Sequence, residues 1–387
     1  SSVGNRAEVA DGGWLACFDG LIGETAFAHS NTVVLSGSGS GWNNLGRLVV
    51  GNSGSGNVLI ASNGPLVLTS NATIGASVAF GSNSLALLTG AGTLWSNRNE
   101  FLVGSNGSNN RLVVSNAAQV FVGTNVFIGF TAASSNNTVV LTGAGSMLSS
   151  INNVIIGQVG SGNRFVLSNG ASVNSQSLYL GINSLSSNNE ATITGSGSIW
   201  TAPEWGVGSA GRGNRLLVTG GGQVRGTFAS VGGFGLGDNL ATLTDSGSLW
   251  TNIGDFFVGL GDSRNSLVVS NGGLLFTESM TISRDPSSLS NRITVAGGSM
   301  LVANDTATGT LEVRRGTNVF NSGLIDVDQL LMTNSLGRFE FNGGTLISRG
   351  AFVTNGVTFI VGNSGTTPAT WDVRAGISNH FLAENLM

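Results

Sequence analysis

The chain has 387 residues and a net charge of −4; only 9 % of its residues are charged, while 40 % are hydrophobic and 61 are Gly. All 16 basic residues are Arg, scattered among the acids, which excludes the basic patch that nucleic-acid binding needs. The hydrophobic fraction excludes a disordered polar tract, the single Cys17 excludes an intrachain disulfide, and no apolar run is long enough for a membrane-spanning helix.

The first residues, Val3-Gly4-Asn5, already read as a joint between two repeat units, and Asn385-Leu386-Met387 stops where a repeat would continue. The chain therefore reads as a segment or processed form of a longer protein, with no visible signal peptide. From Asn5 onward an asparagine recurs every 25 to 27 residues: Asn31, Asn57, Asn83, Asn110, Asn137, Asn163, Asn189, Asn214, Asn239, Asn265 and Asn291. A fixed period of this length is the mark of stacked repeats.

The unit from Gly104 to Gly129 shows the pattern. Asn110 opens a short strand that ends at Ser115. Asn116-Ala-Ala turns the chain, Gln119–Val122 forms a second strand, and Val126–Ile128 a third, closed by Gly129. In the first strand the second and fourth residues after each Asn are apolar, for example Leu112 and Val114, with the rows shifted to Ala86 and Leu88 after Asn83, so both rows face a core. Glycines after the third strand (Gly75, Gly104, Gly129, Gly157) suit corners that need positive φ. The step from each Gly to the next Asn alternates between longer and shorter loops, so two coil types alternate. Short-loop coils carry Ser-Asn-Gly, as at Ser168-Asn-Gly170. Long-loop coils carry Gly-x-Gly-Ser/Thr-x-Trp, as at Gly90 to Trp95.

Residues 1–300 are expected to form regular coils. Residues 301–387 continue with a looser register, with Thr310–Val313, Arg338–Phe341 and Thr370–Val373 resembling first strands and an interruption at Thr366-Thr-Pro368. The predicted fold is all-β: a parallel β-solenoid of about 26 residues and three short strands per coil, with about fourteen to fifteen coils wound right-handedly by the rule for parallel crossovers.

Gly343-Gly-Thr-Leu-Ile-Ser348 and the recurring Leu-x-Val-Ser-Asn-Gly-Gly resemble the repeats of autotransporter passengers and large bacterial surface proteins. The Gly-x-Gly-Ser-x-Trp motif and Thr370-Trp-Asp-Val-Arg-Ala-Gly376 resemble long repeat proteins of Verrucomicrobia and Planctomycetes. The resemblance implies an extracellular, elongated, non-enzymatic body. No translocating barrel accompanies it here.

Four groups of residues bear on function. The asparagine row reads as a structural ladder, because a buried amide satisfies itself when an identical amide is stacked on it. Three residues after each Asn, with Leu87 shifted by one because Asn83 has an extra residue, an outward row holds Val34, Ile60, Leu87, Val113, Val140 and Val166, which reads as an apolar lateral contact. Trp42, Trp95, Trp200 and Trp250 recur on long-loop coils, with Leu148 replacing one. They could hold sugar rings or pack a corner. Arg111, Arg164, Arg215 and Arg292, each just after its Asn, could meet an acidic polysaccharide or serve as solvated spacers.

Chemistry is thinly represented. Gly232-Gly-Phe-Gly-Leu-Gly-Asp238 resembles a calcium-binding loop but occurs once. Asp326 and Asp328 form the one close carboxylate pair, with no evident partner base, and Cys17 reads as a buried apolar residue. The expectation is a non-enzymatic structural protein without cofactor or metal. It would be a segment or subunit of a surface fibre whose main partner is its own kind, stacked head to tail and side by side. The alternative is an adhesin that binds glycans through its Trp or Arg rows.

Overall fold

The structure is a computed structural model and describes residues 3–77, 81–362 and 367–387. It is all-β, a parallel β-solenoid whose successive turns lie about 26 residues apart. The chain divides into two compact units, Ser1–Thr201 and Ala202–Met387.

In the first unit the predicted coil is present strand for strand: Arg111–Ser115, Gln119–Val122 and Val126–Ile128. Each strand stacks in register on its counterpart one coil later, pairing Leu112 with Val139, Val120 with Leu148 and Ile128 with Ile156. Alternation then sorts the side chains. Leu112, Val114, Val120 and Ile128 are fully buried, and full burial of such a side chain is worth roughly 1.5–3 kcal/mol.

The corners follow from residue type. Ser30, Asn83, Asn109, Asn136 and Asn188 all adopt positive φ. Asparagine tolerates this region better than most residues. Four of these residues stand directly before a ladder residue, which makes Asn83 the exception in the predicted row. The register pairs Leu85 with Val58 and with Arg111, so Ser84 stands where Asn57 and Asn110 stand. Asn83 is a corner residue with φ 57°, and Ser84 holds the ladder position.

The first coil pairs along one edge. Arg6–Val9, Trp14–Cys17 and Gly20–Ile22 stack on the second coil. Their other side opens into a cavity of about 600 Å³ whose lining includes Ala7, Val9, Leu15, Ile22 and Trp42.

In the second unit the corners flatten. Leu249–Val258 runs through the corner between second and third strands, with a register shift between Asn252 and Asp255. Arg292–Val302 and Thr317–Val327 run through the corner between first and second strands. Of the three runs expected to be first strands, Arg338–Phe341 is one, stacked on Thr317–Phe320. Thr310–Val313 is instead a third strand, stacked on Ser279–Ile282. Ala369–Val373 continues the second-strand stack through Gly344–Ser348 and Leu324–Val327. Without a ladder Asn, alternation alone does not distinguish the three strands of a coil. The interruption expected at Thr366-Thr-Pro368 lies partly outside the described residues.

Candidate contact surfaces

The asparagine corner is a hydrogen-bonded column within each unit, interrupted in the first unit between Asn57 and Ser84. Asn137 donates its backbone N–H and its Nδ2 to Asn163 Oδ1 (3.0 and 3.1 Å), and Asn163 does the same to Asn189 (2.9 and 3.1 Å). Asn5, Asn31 and Asn57 form such a run, as do Asn110 with Asn137, and Asn214, Asn239, Asn265 and Asn291. The spare amide hydrogen goes to the turn, as from Asn163 to Ser134 O at 3.1 Å. At Ser84 the column narrows: its N–H still reaches Asn110 Oδ1 (2.9 Å), but its buried hydroxyl has no partner.

The glycine row is part of the same device. A Cβ on Gly104 would stand 2.2 Å from Asn137 Nδ2, and one on Gly129 2.1 Å from Asn163 Nδ2. Glycine is required there by its φ of about 80° and by the amide packed against it.

The four tryptophans are core residues. Trp95 and Trp200 are fully buried, and Trp42 and Trp250 are 5 % and 1 % exposed, so none offers a ring face to a glycan. Second-strand alternation turns them inward, and for Trp42, Trp95 and Trp200 a neighbouring coil satisfies the indole. Trp95 Nε1 donates to Thr69 Oγ1 (3.0 Å), and Thr69 donates to Asn97 Oδ1 (2.7 Å), two residues after the Trp. Trp42 repeats this through the Cys17 thiol to Asn44, at 3.3 and 3.1 Å. Cys17 is thus a half-buried relay rather than an apolar filler. Trp200 donates to Ser175 Oγ at 3.2 Å. Where Leu148 replaces Trp, its register partner is Val120, and the relay position after it holds Val122. The tryptophan and the hydroxyl are therefore absent together. This inner polar row was visible in the sequence as Trp-x-Asn at Trp42, Trp95 and Trp250, and reading the Trp row alone missed it.

The outward row of the first strand is in register from Val34 through Ile60, Leu87, Val113 and Val140 to Val166. Val34 is nearly buried at 8 % exposure, and the other five are half-buried. The row on one side is Ser36, Ser62, Thr89, Ser115, Thr142 and Ser168. The other side holds Thr32, Arg111, Thr138 and Arg164, with Val58 and Leu85 widening the stripe at its middle. Of the arginine row, Arg164 pairs with Glu190 (3.4 Å) and Arg292 with Glu340 (3.9 Å), while Arg111 and Arg215 are exposed.

The chemical groups of the second unit are engaged structurally. Arg264 donates to both oxygens of Asp238 (2.8 and 3.1 Å) and holds that carboxyl below its ordinary range, so the carboxylate of the glycine-rich loop is tied to a guanidinium. Arg349 bridges Asp326 (2.5 Å) and Asp328 (3.7 Å), and Asp328 accepts the N–H groups of Asn304 and Gly309. Ser348 lies 2.8 Å from His380 Nε2 and accepts from Trp371 Nε1 at 2.8 Å, but Ser348 is fully buried. Asp262, 5 % exposed, accepts from Asn265 Nδ2 (2.7 Å), and its other oxygen has no partner; burial pushes its carboxyl up to about 6.

No protein family, curated protein or solved structure matches the chain.

Proposed function

We propose that this chain is a structural repeat protein, a segment or subunit of an extracellular fibre or sheath, built by coil-on-coil stacking and by lateral packing of the first-strand face. The observation that carries this reading is the in-register stripe from Val34 to Val166, apolar along its length and rimmed by Ser, Thr and Arg. An apolar strip within a polar rim is the pattern of a contact surface. The extracellular setting rests on the resemblance to bacterial surface repeats. A non-catalytic role is supported by the engagement of Asp326 and Asp328 with Arg349 and by the burial of Ser348.

Val113→Asp tests the lateral contact. Sedimentation and electron microscopy of the full chain are expected to show filaments or lateral dimers that this variant loses. If an assembly structure leaves Ile60, Val113 and Val140 in open solvent, and Val113→Asp changes neither association nor solubility, the reading fails.

A further inference from the structure

We propose that a trough along the second-strand face of the first unit binds an extended, carboxylate-bearing polysaccharide, with Arg98 at its centre. The floor is an outward row stacked in register: Asn43, Leu68, Ser96, Phe121 and Ser149. The next corner forms the wall, from Leu45 and Ser70 through Arg98 to Ile151. Leu45 and Ile151 stand 65 % and 71 % exposed. Gly123 notches the wall beyond Arg98, because a Cβ there would meet Arg98 O at 1.9 Å. Two clefts result, of about 440 and 370 Å³, and both are lined by Ser96 and Arg98.

Charge and spacing select the ligand. The Arg98 guanidinium is exposed, and among the described residues no carboxylate pairs with it, so it is a free cation between two clefts. The floor alternates amide or hydroxyl groups (Asn43, Ser96, Ser149) with apolar ones (Leu68, Phe121). Like groups therefore recur every two coils, about 9.6 Å apart. Same-face residues of an extended peptide recur at about 6.8 Å, which falls out of step. A disaccharide of an extended glycan is close to the two-coil repeat. Its hydroxyls would meet the polar floor, one ring face would lie on Phe121, and its carboxylates would reach the guanidinium, a charge-assisted contact. A peptide has no strand edge to extend here, because Leu94–Asn97 is already paired on both sides.

This site is independent of the lateral stripe and uses neither the buried tryptophans nor the arginines after the ladder. The test is calorimetric titration of the full chain with an oligogalacturonate of defined length. Saturable binding is expected, weakened roughly tenfold or more by Arg98→Ala and by Phe121→Ala. Arg111→Ala, which removes another exposed charge, from the first-strand face, should leave binding unchanged, and the carboxyl-reduced oligomer should bind much more weakly. No saturable binding would overturn the proposal, as would equal losses from Arg98→Ala and Arg111→Ala. Polyglutamate of matched length binding as tightly as the oligogalacturonate would overturn it in favour of an acidic peptide.

Discussion

The corners at Trp95 and Trp250 have the same local sequence, Trp-x-Asn, and different fates. At Trp95 the indole N–H, the Thr69 hydroxyl and the Asn97 amide form a closed relay. At Trp250 the register partner in the relay position is Gly226, beside Asn252, and it supplies no hydroxyl. Trp250 Nε1 and Asn252 Oδ1 are both buried without a partner. Gly226 does not simply await a side chain, since a Cβ there would stand 2.7 Å from the Trp205 ring. At these corners, then, the indole N–H and the Asn Oδ1 depend on the coil before them, some two dozen residues away, and not on the Trp-x-Asn motif itself.

The largest effect should come from making the first corner resemble the second. Thr69→Val keeps the shape and removes the hydroxyl, leaving Trp95 Nε1 and Asn97 Oδ1 unpaired; a loss of about 3 kcal/mol is expected in urea melts. A loss under about 0.5 kcal/mol would mean that the relay contributes nothing.

Asp262 sharpens the comparison through pH. It stands three residues before its ladder Asn, where other short-loop coils have Gly54, Gly107 and Gly160. Its folded carboxyl titrates at about 6 against an ordinary value of 3.8. The fold therefore favours the neutral form. The stability this contributes is fully present below about 3.8 and is lost as pH rises through about 6. Asp262→Gly should raise stability at pH 7.5 by about 2 kcal/mol and make little difference at pH 3.5. A gain that does not change with pH would separate the burial from the titration.

Asn318 is the smaller case. It lies in the core row between Ile293 and Phe339, fully buried, with neither amide atom partnered. It is the same residue type as the ladder asparagines, but it stands two residues past the ladder position, in register with Ile293 rather than Asn291. Asn318→Leu should stabilise by about 1 kcal/mol, read as a higher urea midpoint at unchanged slope.

The comparison also explains what could be read in the sequence. The ladder, the three strands and the alternation of coils were legible because each repeats a residue type at a fixed period. The ladder's misplaced member was not. Asn109-Asn110 and Asn136-Asn137 put a left-handed corner Asn and a ladder Asn side by side, and Asn83-Ser84 keeps only the first. Residue type alone assigned Asn83 to the wrong row. The sequence left the tryptophans open between sugar contact and corner packing, because the hydroxyls that complete their inward packing lie in other coils. The trough beside Arg98 depends on how far Leu45 and Ile151 rise above the sheet, which no sequence period encodes.

A double-mutant cycle on Asn137 and Asn163 tests the rule of satisfaction by the neighbouring coil most directly. Asn137→Ala, Asn163→Ala and the double variant would be compared by urea denaturation, with Asn110 and Asn163, two coils apart, as the control pair. The Asn137 side-chain amide donates directly to Asn163 Oδ1 at 3.1 Å, so a coupling of about 1 kcal/mol or more is expected between neighbours and much less in the control. Additivity within about 0.5 kcal/mol for Asn137 and Asn163 would contradict the ladder as a mutually satisfying column.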